Sequence, residues 1–153
     1  AYKTGMNSLK DKGLYDVLSE VVKIKKRKVL GICLGMQLLC SSSEEGNIKE
    51  GLNFLNLKIT KFKSKNIKIP HIGFNFVKNH NFSLLKGVKK NYFYFAHSYA
   101  AKKQTIKNIN FLECEYGEKF FAGVEKENIY GLQFHPEKSQ SNGIKVLENF
   151  YKI

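Results

Sequence analysis

The sequence predicts an α/β fold, a sandwich with a mostly parallel central sheet plus antiparallel strands. Three observations predict it. A helix-spaced segment, a short wholly apolar run and a second helical segment follow one another over residues 4–46. The middle of the chain then breaks into short β-branched and aromatic runs. An amphipathic segment closes it.

From Thr4 to Lys25 the spacing predicts one helix, with Leu14, Val17, Leu18, Val21 and Val22 on its apolar face. The basic cluster "KIKKRK" (Lys23 to Lys28) follows, where a helix C-terminus favours cations. "KVLGI" (Lys28 to Ile32) reads as a strand buried on both faces. "LGMQLLCSSSEEG" reads as a helix ending near Gly46. "LNLKITKFK", "NYFYFAHSY", "NFLECEYG", "KFFAGVEKEN" and "IYGLQFH" read as strands, several of them antiparallel. "NGIKVLENFYKI" (Asn142 to Ile153) reads as the final helix, its apolar side supplied by Ile144, Val146, Leu147, Phe150 and Tyr151.

The 153 residues suit a single domain spanning 1–153, with no repeat or linker to divide it. No apolar run is long enough for a membrane span, and the opening "AYKTGMNSLKDKG" lacks the apolar segment of a signal peptide. Three cysteines without a C-x-x-C pair argue against a disulfide framework or a metal site and fit the cytoplasm. The formal charge of +13 raises nucleic acid as a partner. Arg27 is the only arginine, however, and the lysines are dispersed, so a solvated surface is the better reading.

Candidate chemistry centres on "VLGICLGMQLL" (Val29 to Leu39). Cys33 falls between a strand and a helix, with Gly31 and Gly35 two residues either side. That is either a buried cysteine in a tight turn or a nucleophile elbow with Cys in place of Ser. In the second case the helix N-terminus lowers the thiol pKa, and the Leu34 N–H points at a developing oxyanion. A thiolate nucleophile needs a base, and the base needs an orienting group. "LQFHPEKS" (Leu132 to Ser139) supplies His135 just past a strand and Glu137 two residues on. Pro136 ends the strand. If the strands before Cys33 and His135 are parallel neighbours, thiol and imidazole share one sheet edge. His71 reads as structural or interfacial, and His80 as a solvated loop residue.

G-I-C-L-G-M-Q-L-L together with Q-F-H-P-E-K-S resembles the class I (triad-type) glutamine amidotransferases over essentially the whole chain. "PHIGFN", "YFYFAHSY" and the Lys-Ser ending of "HPEKS" look like the glutaminase subunits of imidazole glycerol phosphate synthase in particular. The resemblance implies a flavodoxin-like sandwich. It implies hydrolysis of L-glutamine through a thioester on Cys33, with His135 and Glu137 completing the triad and no cofactor or metal. It further implies glutamine contacts from Gly35, Gln37, Glu45, Ser98 and Tyr99, with Glu45 facing the α-amino group. The implied partner is a (β/α)8-barrel cyclase or synthase subunit that receives the ammonia, with no nucleic acid or membrane involved.

Two departures from that family pattern stand out. The family's opening β-α-β portion and its glycine-rich oxyanion strand, roughly 50 residues by element lengths, would lie upstream of Ala1. The domain is therefore expected to be N-terminally incomplete, with an exposed sheet edge and only Leu34 of the oxyanion hole. Phe74 stands where the synthase subunits usually carry Trp. This leaves open a glutaminase for amidation of a surface-sugar precursor. A γ-glutamyl hydrolase and a non-catalytic subunit of the same fold are further alternatives.

Overall fold

A computed structural model describes residues 1–47 and 50–153. In chain order the elements are α1 (Tyr2–Asp11), α2 (Leu14–Ser19), β1 (Val29–Ile32), α3 (Leu34–Leu39), β2 (Cys40–Ser43), β3 (Leu55–Lys61), β4 (His71–His80), β5 (Tyr92–His97), β6 (Tyr99–Ala101), β7 (Asn110–Glu115), β8 (Lys119–Lys126), β9 (Ile129–Leu132) and α4 (Gln140–Lys152). No helix among the described residues is long and apolar enough to cross a membrane.

The main sheet has six strands in the order β1-β9-β8-β7-β4-β5, and β2-β3-β6 form a smaller sheet. The class is α/β, and the sheet is mixed. Where a mostly parallel sheet was expected, β1–β9 and β2–β3 are parallel and the remaining pairs are antiparallel. The reason lies in the connections. β7, β8 and β9 follow one another through short turns, which can only return the chain antiparallel. On its far edge β1 has no strand partner among the described residues.

One cluster of buried side chains lies on each face of the sheet. Phe93, Phe95, Leu112, Phe120, Ala122 and Val146 belong to the first. Met36, Leu55, Leu57, Ile59, Phe121 and Val124 belong to the second. β8 serves both, and its parity changes part-way along. The register shifts between Leu112 and Glu113, which face Gly123 and Phe121, so Ala122 is an extra residue on β8. A bulge of this kind moves every later side chain to the opposite face. Val124 consequently joins Phe121 rather than Phe120 and Ala122.

Three helical expectations and one loop expectation need correction. The first helix is not continuous. Gly13, at φ 65°, separates α1 from α2, and a π-helical turn follows at Glu20–Ile24. The two halves therefore do not share a face. Tyr2, Met6 and Val22 are buried, while Leu14 and Val17 are 42% and 52% exposed. The helix after Cys33 stops at Leu39, not near Gly46. Cys40–Ser43 is extended and pairs with β3, since serines favour local hydrogen bonds over helix interiors. β4 was not expected as a strand at all. His80 is its last residue, paired with Phe111 and stacked on that ring at 4.4 Å, so it is not a solvated loop residue. On α4, Val146 is buried, but Ile144 and Tyr151 face solvent.

Candidate active site

The parallel pairing of β1 with β9 runs in register, with Gly31 opposite Gly131 and Ile32 opposite Leu132. The Cys33 N–H extends the ladder by donating to the Leu132 carbonyl at 2.7 Å. The chain then turns abruptly. Cys33 has φ 49° and ψ −105°, a conformation that non-glycine residues avoid, and α3 starts at the next residue. This is the elbow geometry expected from the sequence.

Glycine is needed at Gly31 for a definite reason. A Cβ there would lie 2.6–2.7 Å from the backbone of Gly35 and Met36. Gly131 plays the same part from the neighbouring strand, where a Cβ would meet the Met36 side chain at 2.7 Å. Gly35 differs from the expectation. A Cβ there meets nothing within 4 Å, so packing does not require the glycine.

Two donors face the Cys33 thiol. They are the Leu34 N–H and the Gln133 side-chain amide, whose Nε2 lies 3.8 Å from Sγ. Burial pushes the thiol pKa up, and Glu137 adds to this. Leu34, Lys138 and Gln133 pull the other way. The expected lowering by the helix end is therefore outweighed by desolvation, and α3 has only six residues.

His135 lies two residues beyond Gln133, past the end of β9 at Leu132. Its N–H donates to the Tyr94 carbonyl at 2.8 Å, which fixes the backbone. Its ring Nδ1–H donates to Glu137 Oε1 at 2.6 Å, across the turn that begins at Pro136. His135 is largely buried and Glu137 is half-exposed. This is an imidazole held by a carboxylate through Nδ1, with Nε2 left as its acceptor nitrogen. No hydrogen bond joins His135 to the thiol among the described residues.

Beside Cys33 opens a cleft of about 290 Å³. The elbow contributes Cys33, Leu34 and Gln37. Glu45 lines another side, Pro70 and Ile72 a third, and Ala96 to Tyr99 the last, with Ala1 at the edge. Of the expected substrate contacts, Gln37, Glu45, Ser98 and Tyr99 line this cleft, and Gly35 does not. Glu45 already has neighbours, because the backbone nitrogens of Ala1 and Tyr2 donate to its two carboxylate oxygens at 2.8 and 3.2 Å. The arrangement puts a thiol, a backbone N–H and a carboxylate around one opening. Among the described residues no cluster of His, Cys, Asp and Glu could hold a metal ion.

The model of the class I glutamine amidotransferases matches residues 4–153. The chain belongs to the class I glutamine amidotransferase family.

Relatives of this amidotransferase include a protein of Methanococcus maripaludis named imidazole glycerol phosphate synthase subunit HisH 2. It is 48% identical over 158 residues, covering 99% of this chain and 76% of the relative. A Campylobacter jejuni protein named imidazole glycerol phosphate synthase subunit HisH 1 is 41% identical, covering 100% and 77%. A solved structure titled as a glutamine amidotransferase superposes with a TM-score of 0.72 over 99% of this chain and 75% of that one, at 14% identity. That last likeness speaks to the fold.

Three features beside the candidate site are not legible in the sequence. Gln133 opens the Q-F-H-P-E-K-S motif without a role of its own, and the parallel register that places Cys33 beside β9 also places Gln133 beside Cys33. Gly131 carried no motif that sequence reading noticed. The buried pair His71 and His97 joins β4 to β5, with His71 Nδ1 and His97 Nε2 3.1 Å apart. His71 is buried, in keeping with the structural reading of it, and only its pairing with His97 depends on a strand not visible in "PHIGFN".

Proposed function

We propose that this chain is the glutamine-hydrolysing subunit of an imidazole glycerol phosphate synthase, acting in histidine biosynthesis in the cytoplasm. The observation that carries the reading is the β1–β9 pairing. The elbow cysteine and the histidine held by a carboxylate follow the ends of these two adjacent strands. The names of the relatives support the choice of synthase.

In this reading Cys33 Sγ attacks the side-chain amide carbon of glutamine as its proton passes to His135 Nε2. The resulting oxyanion accepts the Leu34 N–H. The C–N bond breaks, and His135 returns the proton to the leaving ammonia. Water, deprotonated by His135, then hydrolyses the thioester to glutamate and frees Cys33. Two steps through a thioester replace one difficult amide hydrolysis. Glu137 holds the imidazole and stabilises its charged form. Glu45 faces the α-ammonium of glutamine, and Gln37, Ser98 and Tyr99 complete the pocket.

Ammonia then passes to a (β/α)8-barrel partner. Support for docking near the cleft comes from an exposed stripe of Ile72, Phe74 and Phe76 on β4 with Tyr92 on β5. Ile72 also lines the cleft, so the stripe begins at its rim. Phe74 favours one second reading, a glutaminase paired with a synthase that amidates a surface-sugar precursor. Copurification from native extract tests both. Recovery of the histidine-pathway cyclase supports the first reading, and recovery of a sugar-amidating enzyme replaces it.

A further inference from the structure

From the hydrogen bonds around Cys33 we infer that Gln133 is a further site residue, one that donates to the Cys33 thiolate. It is kept in that orientation by a buried chain of fixed polarity through Gln37, Tyr99, His97 and His71. The inference rests on Cys33 being the nucleophile.

The polarity can be worked out link by link. The Tyr99 carbonyl can only accept. It lies 2.8 Å from His97 Nδ1 and 2.9 Å from Gln37 Nε2, so both nitrogens donate. A neutral His97 with its proton on Nδ1 has an acceptor at Nε2. His71 Nδ1, 3.1 Å away, must then carry a proton and donate. His71 Nε2 is left as an acceptor for Asn75 Nδ2 at 3.4 Å. Asn75 is held in turn, as its Nδ2 also donates to the Glu115 carbonyl at 3.1 Å and its Oδ1 accepts the Phe76 N–H at 2.8 Å.

The other direction leads to the thiol. Gln37 Nε2 has two hydrogens, one for Tyr99 and one for Gln133 Oε1 at 3.1 Å. A flipped Gln133 would set two NH₂ groups against each other, so its oxygen faces Gln37 and its nitrogen faces Cys33. Every link has one permitted sense, and the chain ends on Sγ with a donor. Gln133 is fully buried, as are His71, His97 and Gln37 to within 6% exposure. Such groups hold position because no water can replace a lost partner. An extra proton on His97 would put N–H against N–H at His71 and break the chain.

A donor at Sγ favours thiolate over thiol, so Gln133 lowers the cost of ionising a buried cysteine. The test is the pH profile of Cys33 alkylation by iodoacetamide, followed on its own peptide by mass spectrometry. The protein is used as the assembled complex, comparing wild type with Gln133→Met and with His97→Phe. Gln133→Met should raise the apparent thiol pKa by about one unit, roughly tenfold slower alkylation below it. His97→Phe, which keeps a ring in the aromatic cluster, should shift it the same way by less. A merely structural role would change the rate at every pH and leave the midpoint alone. An unmoved midpoint in Gln133→Met, in protein that keeps its fold by circular dichroism, overturns the inference. Retention of glutamine hydrolysis by Cys33→Ala would instead overturn the reading of Cys33 itself.

Discussion

Gly31 and Gly131 lie directly opposite each other in the parallel β1–β9 pair, and together they form the floor on which α3 rests. Met36 and the Gly35 carbonyl occupy the space that two side chains would otherwise fill. The elbow at Cys33 thus depends on two glycines on different strands. Gly131→Val should destabilise the protein by about 1–3 kcal/mol through overpacking against Met36. Urea denaturation measures that loss. Gly31→Ala should be worse, because its Cβ meets backbone rather than a side chain that can move.

Acid should unfold the protein through His71 and His97. Burial lowers their pKa values from 6.5 to about 4 and about 3. In the unfolded chain both titrate near 6.5. As pH falls below that value the unfolded state takes up protons that the folded state refuses, so it gains ground. Stability from this source is complete above pH 6.5 and is lost as pH falls through the window towards 4. Thermal melts between pH 7 and pH 4.5 should show the decline. His97→Phe should flatten it.

His135→Ala should cut the turnover of glutamine by roughly 10²–10⁴-fold, the range for loss of a positioned general base. Glu137→Gln should cost less. Its carboxylate is half-exposed, and an amide oxygen can still accept from Nδ1. Steady-state kinetics on the complex should show the loss in kcat more than in KM for both variants.

The stripe of Ile72, Phe74 and Phe76 should matter for association and little for folding. Phe74 is 49% exposed and meets Tyr94 edge-on at 5.6 Å. Phe74→Lys should change stability by no more than about 0.5 kcal/mol, as surface substitutions usually do. It should weaken binding of the synthase partner measurably by calorimetry. Unchanged affinity would remove this face from the interface.

How far the fold was legible varies along the chain. β1 and the elbow could be read because an apolar run meeting G-x-C-x-G has few other solutions. His135 and Glu137 could be read because an apolar run gives way to a turn at Pro136, although β9 itself stops earlier, at Leu132. The break at Gly13 was obscured because Leu14, Val17 and Leu18 keep helical spacing even though two of them face solvent. β4 was obscured by its own composition. Polar and apolar residues alternate weakly in "HIGFNFVKNH", and the exposed face carries the large aromatics. Cys40–Ser43 continued a helical segment in the reading, although its serines disfavour helix interiors and it pairs with β3. In the site, residues with reactive side chains were visible. Gln133 and Gly131 act through register and space, which a single sequence does not display.

The central claim is that Cys33 is the nucleophile that attacks glutamine. A glutamine-derived chloromethyl ketone, applied to the complex and followed by peptide mass spectrometry, tests it most directly. One adduct is expected, on Cys33, suppressed by excess glutamine, with Cys40 and Cys114 unmodified in their buried positions. An unlabelled Cys33 in complex that still hydrolyses glutamine would contradict it.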